Sequence, residues 1–372
     1  MKRFASLTLA IIMLATLLPL AGQVQASDYS FAGLIEKITS EAPMKYIEKL
    51  SSKEFRGRMV GDPGEKITTD YIASLYKSFG LKPAGDDGTY FQNLTTSVFL
   101  PKSPVDFRMV TEDGGTEKQF VYKKDYNFLQ VTGSGKASAE AIFAGFGIST
   151  QKYNYDDYKG IDVKGKIVAV IRHAPDYLRE LAGQEADSLM AFQYKVDNAI
   201  AHGASAVIVF ENPMLPPENR RNMNEKIVSA YPSSIPCLFV SVECSNQVLS
   251  KSGMTSEQLF KKINDSKSPS SFPIKNTRLQ VEVNAEFNPA YKTSNVVGYI
   301  PASDPFGANE TVLITAHYDH LGVDVDGTLY PGACDNASGV ASMLEIARAF
   351  TDSGLKPKIN ICFAALTGEE LG

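Results

Sequence analysis

The chain has little of what marks several classes of protein. It has four cysteines in 372 residues, and Cys237 and Cys244 flank an apolar segment. An extended strand would hold these two thiols about 20 Å apart, so we expect no dependence on disulfides. The chain has 37 basic and 42 acidic residues, which gives a formal net charge of −5. The sequence therefore has no basic stripe that would indicate nucleic acid or an anionic membrane as a partner.

The N-terminal 26 residues have the pattern of a signal peptide. Lys2 and Arg3 precede an apolar run at residues 7–21, and small residues precede a cleavage site after Ala26. A membrane anchor is the alternative. It is disfavoured because the run is shorter than the roughly 20 apolar residues that a span needs, and Pro19 interrupts its end. No later run is long enough to span a membrane. We expect export to the periplasm or the extracellular space.

Patterning divides the rest of the chain into three segments. Residues 27–105 have helical spacing, residues 106–275 change to short strands and turns, and residues 276–372 follow the order strand, strand, helix, strand. Residues 211–234 have the composition of an exposed loop. The nearly all-apolar strands of the last segment favour a parallel sheet covered on both faces. We predict an α/β fold, a three-layer αβα sandwich with a mostly parallel sheet, interrupted by a β-rich α/β domain at 106–275.

Acidic and imidazole side chains cluster at the ends of these C-terminal strands. His317 and Asp319 follow one strand, and residues two apart on a strand point to the same side. Asp335 precedes the helix, and Glu369 and Glu370 follow the next strand. Because parallel strands end at the same edge of a sheet, the five side chains should gather there. That edge is where open α/β sheets bind ligands.

Each of these residues also has a simpler interpretation. A lone histidine at a strand end is usually only polar, Asp335 could cap the following helix, and two adjacent glutamates could form a solvated surface. Together, however, an imidazole and several carboxylates form the ligand set that zinc prefers in hydrolases. Burying two ionised glutamates at a sheet edge raises the free energy of the folded state unless a positive charge pairs with them. The set therefore predicts a zinc site.

Three short segments carry a resemblance to a known family. They are residues 316–322 AHYDHLG, 331–339 PGACDNASG and 368–372 GEELG. With them the sequence resembles the co-catalytic, two-zinc aminopeptidases, a family that includes aminopeptidase Y, bacterial leucyl aminopeptidases and glutamate carboxypeptidases. Residues 158–168 YKGIDVKGKIV and 195–210 resemble the protease-associated (PA) domain, which many members carry as an insertion.

The resemblance implies a role for each candidate residue. His317 would bind one zinc ion, Asp335 would bridge two ions, and Glu370 would bind the other. Glu369 would act as the general base. Asp319 would orient His317 through a carboxylate–histidine contact.

The chain departs from the family pattern at two points. Cys334 stands where members have Asn or Asp, and we expect its side chain to point away from the metals. A second imidazole and another carboxylate ligand lie further downstream in the family, whereas this chain has only four histidines. His320 could line the pocket, but His173 and His202 fall in the inserted domain. We therefore expect a C-terminally truncated fragment, with an Asp and a His ligand beyond Gly372.

The implied function is a secreted zinc-dependent exopeptidase, an aminopeptidase that removes N-terminal residues from peptides. A carboxypeptidase or dipeptidase of the same family remains an alternative. The sequence does not place the acidic group that would bind a substrate's free amine, or the basic groups that would bind its free carboxylate. A one-zinc glutaminyl cyclase is disfavoured by the inserted domain. A non-catalytic binding protein like the transferrin-receptor relatives is disfavoured because every ligand expected up to Gly372 is present. Oligomeric state is not indicated.

Overall fold

A computed structural model describes residues 31–111, 115–228 and 232–371 of the chain. The predicted signal peptide at residues 1–26 lies outside these residues. No helix among the described residues is long and apolar enough to cross a membrane. All four cysteines are free thiols in this structure.

The described residues contain nine α-helices. In chain order they are α1 (Phe31–Ile35), α2 (Glu41–Leu50), α3 (Pro63–Phe79), α4 (Asp176–Ala182), α5 (Ala186–Met190), α6 (Phe192–Ala201), α7 (Val242–Val248), α8 (Ser256–Ser266) and α9 (Ser338–Asp352). Short 3₁₀ turns lie at Lys53–Arg58 and Glu369–Leu371, and a π turn at Ala333–Ala337 precedes α9.

Fifteen strands lie in the same residues. They are β1 (Lys82–Pro83), β2 (Phe91–Val110), β3 (Thr116–Gln119), β4 (Tyr126–Phe128), β5 (Gly135–Ala144), β6 (Ser149–Thr150), β7 (Tyr155–Asp156), β8 (Ile167–Ile171), β9 (Ala206–Phe210), β10 (Cys237–Val240), β11 (Ser271–Ile300), β12 (Thr311–His317), β13 (Gly322–Val323), β14 (Leu329–Tyr330) and β15 (Asn360–Leu366).

Helix α3 shows how local sequence fixes an element beside the site. The Asp62 carboxylate accepts a hydrogen bond from Gly64 N at 3.0 Å and caps the first turn. Pro63 suits that first turn because it lacks an N–H. Gly80 ends the helix in the left-handed conformation with φ 80°. Between these ends, Ile72 and Tyr76 are fully buried against the C-terminal sheet and helix α9.

The sheet of the inserted segment is buried on both faces. Strands β5, β8, β9 and β10 run parallel, in that order. Alternate residues of β8 enter two different cores, with Ile167, Ala169 and Ile171 on one face and Val168 and Val170 on the other. Helix α6 packs on one face, and α7 and α8 pack on the other. This burial explains why the strands are continuous apolar runs.

A long antiparallel ribbon connects the two parts of the molecule. β2 and β11 pair from Arg278 with Val110 to Val296 with Phe91, with two irregularities on the way. The predicted domain boundaries at residues 105 and 275 fall inside these paired strands, and the boundaries stay predictions. The middle of β11, residues 284–290, is largely exposed, so no apolar run marks the ribbon in the sequence.

The predicted α/β fold class is confirmed. The C-terminal sheet, predicted as mostly parallel, contains both parallel and antiparallel strand pairs. β12 and β15 are parallel, as predicted, with Thr311 opposite Asn360 and His317 opposite Leu366. β15 pairs antiparallel with β11, because β11 returns to this sheet from the inserted segment. In the described part of the chain, helices α2, α3 and α9 cover one face. On the other face Leu313 is 59 % exposed.

Candidate metal centre

The parallel pair β12 and β15 brings the candidate residues to one edge. His317 ends β12 directly opposite Leu366, the last residue of β15. The next backbone contact continues the alignment, since Tyr318 N donates to Leu366 O at 2.8 Å. Gly368, at φ 82°, then reverses the chain into the 3₁₀ turn that carries Glu369 and Glu370. The edge predicted from the strand order therefore exists.

His317 lies at the centre of the predicted set. Its Nε2 atom is 3.2 Å from Asp335 Oδ1 and 3.9 Å from Glu369 Oε2. Its Nδ1 atom is 3.2 Å from the backbone oxygen of Asp319. The imidazole is thus oriented by a main-chain carbonyl, which leaves Nε2 directed at the carboxylates.

The Asp319 carboxylate lies beside His317 but makes its hydrogen bonds to the turn of the two glutamates. The carboxylate is 3.7 Å from His317 Nδ1, beyond hydrogen-bond distance. Instead it accepts hydrogen bonds from the backbone N–H groups of Glu369, at 3.3 Å, and Glu370, at 3.2 Å. Burial raises the pKa of Asp319, and these two N–H groups and His317 act against that rise. Asp319 therefore positions the turn of the two glutamates.

Three side chains form a group able to hold a metal ion. One ligand atom each from His320, Asp335 and Glu370 all lie within 4.8 Å of one another. His320 Nδ1 is 2.6 Å from Glu370 Oε1. The sequence predicts His320 only as a pocket residue. Its position three residues after His317, beyond the same strand end, is the signal that could have placed it among the ligands.

The helix-cap interpretation of Asp335 is not supported. Asn336 supplies that contact, because its Oδ1 accepts a hydrogen bond from Gly339 N at 3.0 Å. The Asp335 side chain is 65 % exposed and turns toward the imidazoles. Cys334 is exposed and is not among the three residues of the metal-binding group. The carboxylate of Asp335 is therefore available to a ligand.

A buried arginine that the sequence does not single out lies behind these residues. Arg58 is fully buried, and its guanidinium donates to the backbone oxygens of Tyr318, Leu50, Pro331 and Gly332 at 2.6–2.8 Å. Burial lowers its pKa to about 10, and the nearby Asp319, Asp335 and Glu370 oppose that shift. Arg58 thus stays charged at neutral pH. Its segment, residues 55–58, has the pattern of a loop at the start of a stretch, residues 54–92, that resembles the N-terminal segment of the family, and neither feature predicts a role for Arg58.

The two histidines of the inserted segment lie in other surroundings. His202 stacks on the ring of Tyr158, with 4.1 Å between the centroids. His173 Nδ1 lies 3.1 Å from the Asn212 amide, and burial lowers its pKa to about 4. Neither belongs to the metal-binding group of the described residues.

Two family models match parts of this chain. Peptidase family M28 matches residues 295–372, which include every member of the candidate site. The PA domain matches residues 122–247, within the inserted segment.

Individual proteins resemble the chain over different lengths. An aminopeptidase of Pseudomonas aeruginosa is 22 % identical over 335 residues, which is 88 % of this chain and 51 % of the relative. A probable zinc metalloprotease of Pyrenophora teres f. teres is 48 % identical over 63 residues, covering 16 % of this chain and 13 % of the relative. The chain thus spans about half the length of the Pseudomonas relative.

A solved structure shares the fold over most of the chain. An aminopeptidase from Aneurinibacillus sp. strain AM-1 superposes with a TM-score of 0.58 at 22 % identity, covering 92 % of this chain and 66 % of that one. At this identity the likeness concerns the fold alone.

Replacing Arg58 by Lys should destabilise the protein. The ammonium group keeps the charge but cannot span four carbonyls, and each buried oxygen left unpaired costs about 1–3 kcal/mol, so we expect a loss of about 2–4 kcal/mol. Urea unfolding measures it. Arg56→Lys is the matched control, because Arg56 is exposed and pairs with Asp62 at 2.8 Å. Equal effects of the two substitutions would contradict the role of the Arg58 contacts.

Proposed function

The chain belongs to peptidase family M28 and carries a PA domain, and on that premise we propose that it acts as a zinc-dependent aminopeptidase on peptides. The observation that carries the proposal is the metal-binding group of His320, Asp335 and Glu370 at the carboxyl edge of parallel strands, with His317 and Glu369 beside it. The named relatives, an aminopeptidase and a probable zinc metalloprotease, support the same chemistry.

The donors present fit zinc. Imidazole nitrogen and carboxylate oxygen are ligands that zinc accepts in hydrolases, and the spacing of the donor atoms suits a shared centre. We propose that two ions would bind, with His317, Asp335 and Glu370 as ligands and His320, 2.6 Å from Glu370 Oε1, as a further nitrogen donor of the same group. Zinc held there supplies a water molecule of lowered pKa and polarises the carbonyl of the scissile bond.

Glu369 is suited to move the proton. Its side chain is 60 % exposed and approaches the site, with Oε2 3.9 Å from His317 Nε2. The backbone N–H of Glu369 donates to the Asp319 carboxylate, so the backbone of this glutamate is held in place while its carboxylate is exposed. We propose that Glu369 takes a proton from the attacking water and returns it to the leaving amine.

Zinc analysis tests the metal centre. In the full-length protein we expect about two zinc ions per molecule, loss of peptidase activity on chelation, and its return with added zinc. Plasma mass spectrometry gives the metal content. One ion per molecule would favour the one-zinc cyclase chemistry, and no bound metal would favour a non-catalytic binding protein.

Glu369→Gln tests the general base. The amide keeps the size of the side chain but cannot accept the proton, so turnover should fall by about 10²–10⁴ while zinc content stays unchanged. Hydrolysis of a peptide with a free N-terminus measures it. Glu257→Gln, on the exposed face of α8, is the control. Unchanged turnover would remove Glu369 from the mechanism. Cleavage of the N-acetylated peptide would favour a carboxypeptidase.

We also propose that the protein is exported. The basic start, the apolar run and the small residues before Ala26 support a signal peptide over residues 1–26. N-terminal sequencing of the exported protein should begin at Ser27. An intact N-terminus in the cell extract alone would contradict this.

A further inference from the structure

A β-hairpin joins two members of the metal-binding group. The hairpin, residues 321–332, contains β13 and β14 and a turn at Asp324 to Gly327. His320 immediately precedes it, and Asp335 follows it after two residues. Any shift of the hairpin therefore moves an imidazole at one end or a carboxylate at the other.

The base of the hairpin is held by the N-terminal segment. Arg58 donates to the carbonyls of Pro331 and Gly332 at 2.8 Å. Gly57 allows the close approach, since a Cβ on it would lie 2.3 Å from Tyr330 O. The base is thus fixed by contacts with Gly57 and Arg58 of the N-terminal segment.

The turn of the hairpin is held by the PA domain instead. Lys123 Nζ lies 2.8 Å from Asp324 Oδ2 and 3.1 Å from Asp326 Oδ2. The Lys123 side chain is 10 % exposed and that of Asp324 only 2 %, so water screens this pair little. Tyr122 Oη also donates to Asp324 Oδ1 at 3.2 Å. The same ammonium lies 5.2 Å from the ring centroid of Tyr330 on β14.

A second lysine of the PA domain reaches the strand that follows His320. Lys226 Nζ donates to Leu321 O at 2.5 Å and to Val323 O at 2.9 Å. Leu321 is the residue directly after His320. Tyr330 Oη adds a contact in the other direction, donating to Asn224 O at 2.9 Å.

The segment that carries Lys226 is itself fixed to the PA sheet. This arm, residues 211–228, has the composition of an exposed loop, but it begins with buried residues. Glu211, 2 % exposed, pairs with Arg172 at 3.1 Å where the parallel strands end. Asn127 on β4 donates from its amide to Glu225 O at 2.7 Å. The arm therefore transmits the position of the PA sheet to the hairpin.

We propose that Lys123 and Lys226 are positioning residues for the metal centre, through which the PA domain holds His320 and Asp335 in place. The inference rests on the proposed zinc site. Neither lysine touches the donors. Each fixes the backbone on which the donors are mounted, as outer contacts fix the ligands of other metal sites. On this account the PA domain contributes to metal affinity.

The test is zinc affinity in single variants of the full-length protein. Lys123→Met and Lys226→Met should each weaken zinc about 10- to 100-fold, measured by competition with a chromophoric chelator. The absorption spectrum of the cobalt-substituted protein should change as well, because the ligand geometry changes. Lys251→Met is the matched control, since Lys251 pairs with Glu117 at 2.8 Å inside the inserted segment. It should bind zinc as the wild type does.

Further variants separate positioning from stability. Lys123→Met removes the ammonium group beside the buried Asp324 carboxylate and lowers stability, whereas Lys123→Met with Asp324→Asn removes both charges of this pair. We expect the double variant to fold and still bind zinc weakly, and Lys123→Arg to restore the affinity.

The outcomes distinguish the two proposals. A wild type that binds no zinc would overturn the proposed function. A wild type that binds zinc, with wild-type affinity and cobalt spectrum in Lys226→Met and in the double variant, would overturn the positioning role alone.

Discussion

Arg58 places a fixed positive charge behind an edge that carries several carboxylates. Burying a guanidinium is unfavourable unless its donors are paired, and here four backbone oxygens pair with it. Two of those oxygens belong to Pro331 and Gly332, and a third to Tyr318. The same side chain therefore fixes the chain before His320 and the chain before Asp335, and it favours the ionised carboxylates in front of it.

The rest of the site is built outward from that fixed frame. The parallel register of β12 and β15 places His317 opposite Leu366, so the glutamate turn starts where the imidazole points. Asp319 then uses its buried carboxylate to hold the N–H groups of Glu369 and Glu370. The carbonyl of Asp319, rather than its carboxylate, lies nearest His317 Nδ1. Asp319 thus contacts His317 at the end of β12 through its backbone oxygen, and the glutamate turn after β15 through its carboxylate.

The PA domain is joined to this frame by two kinds of contact. The ribbon of β2 and β11 makes the connection continuous in hydrogen bonds. Lys123 and Lys226 add contacts at the hairpin, where the partners are a carboxylate pair and two carbonyls. Because these groups are largely buried, the two parts of the molecule are held in a defined arrangement where the hairpin meets the PA domain.

Much of the C-terminal unit could be predicted from the sequence. Apolar runs and helical spacing identified β12, α9 and β15, and strand order alone predicted a shared edge for His317, Asp335 and Glu370. The ribbon was missed because the middle of β11 is exposed and carries no apolar signal. Residues 211–234 have the composition of an exposed loop, but Glu211 at their start is buried and its partner, Arg172, is brought to it only by the tertiary structure. The roles of the five site residues stay predictions.

The sequence by itself determined the chemistry available at the site, because residue type sets which groups can bind zinc and periodicity sets where strands end. Tertiary structure decided which atoms do the positioning. Arg58 lies far from Pro331 in the chain, and Lys123 lies far from Asp324, so no local pattern links them. Their pairing follows from burial. A charge removed from water is stable only when polar groups pair with it, and here the fold brings those groups from distant parts of the chain.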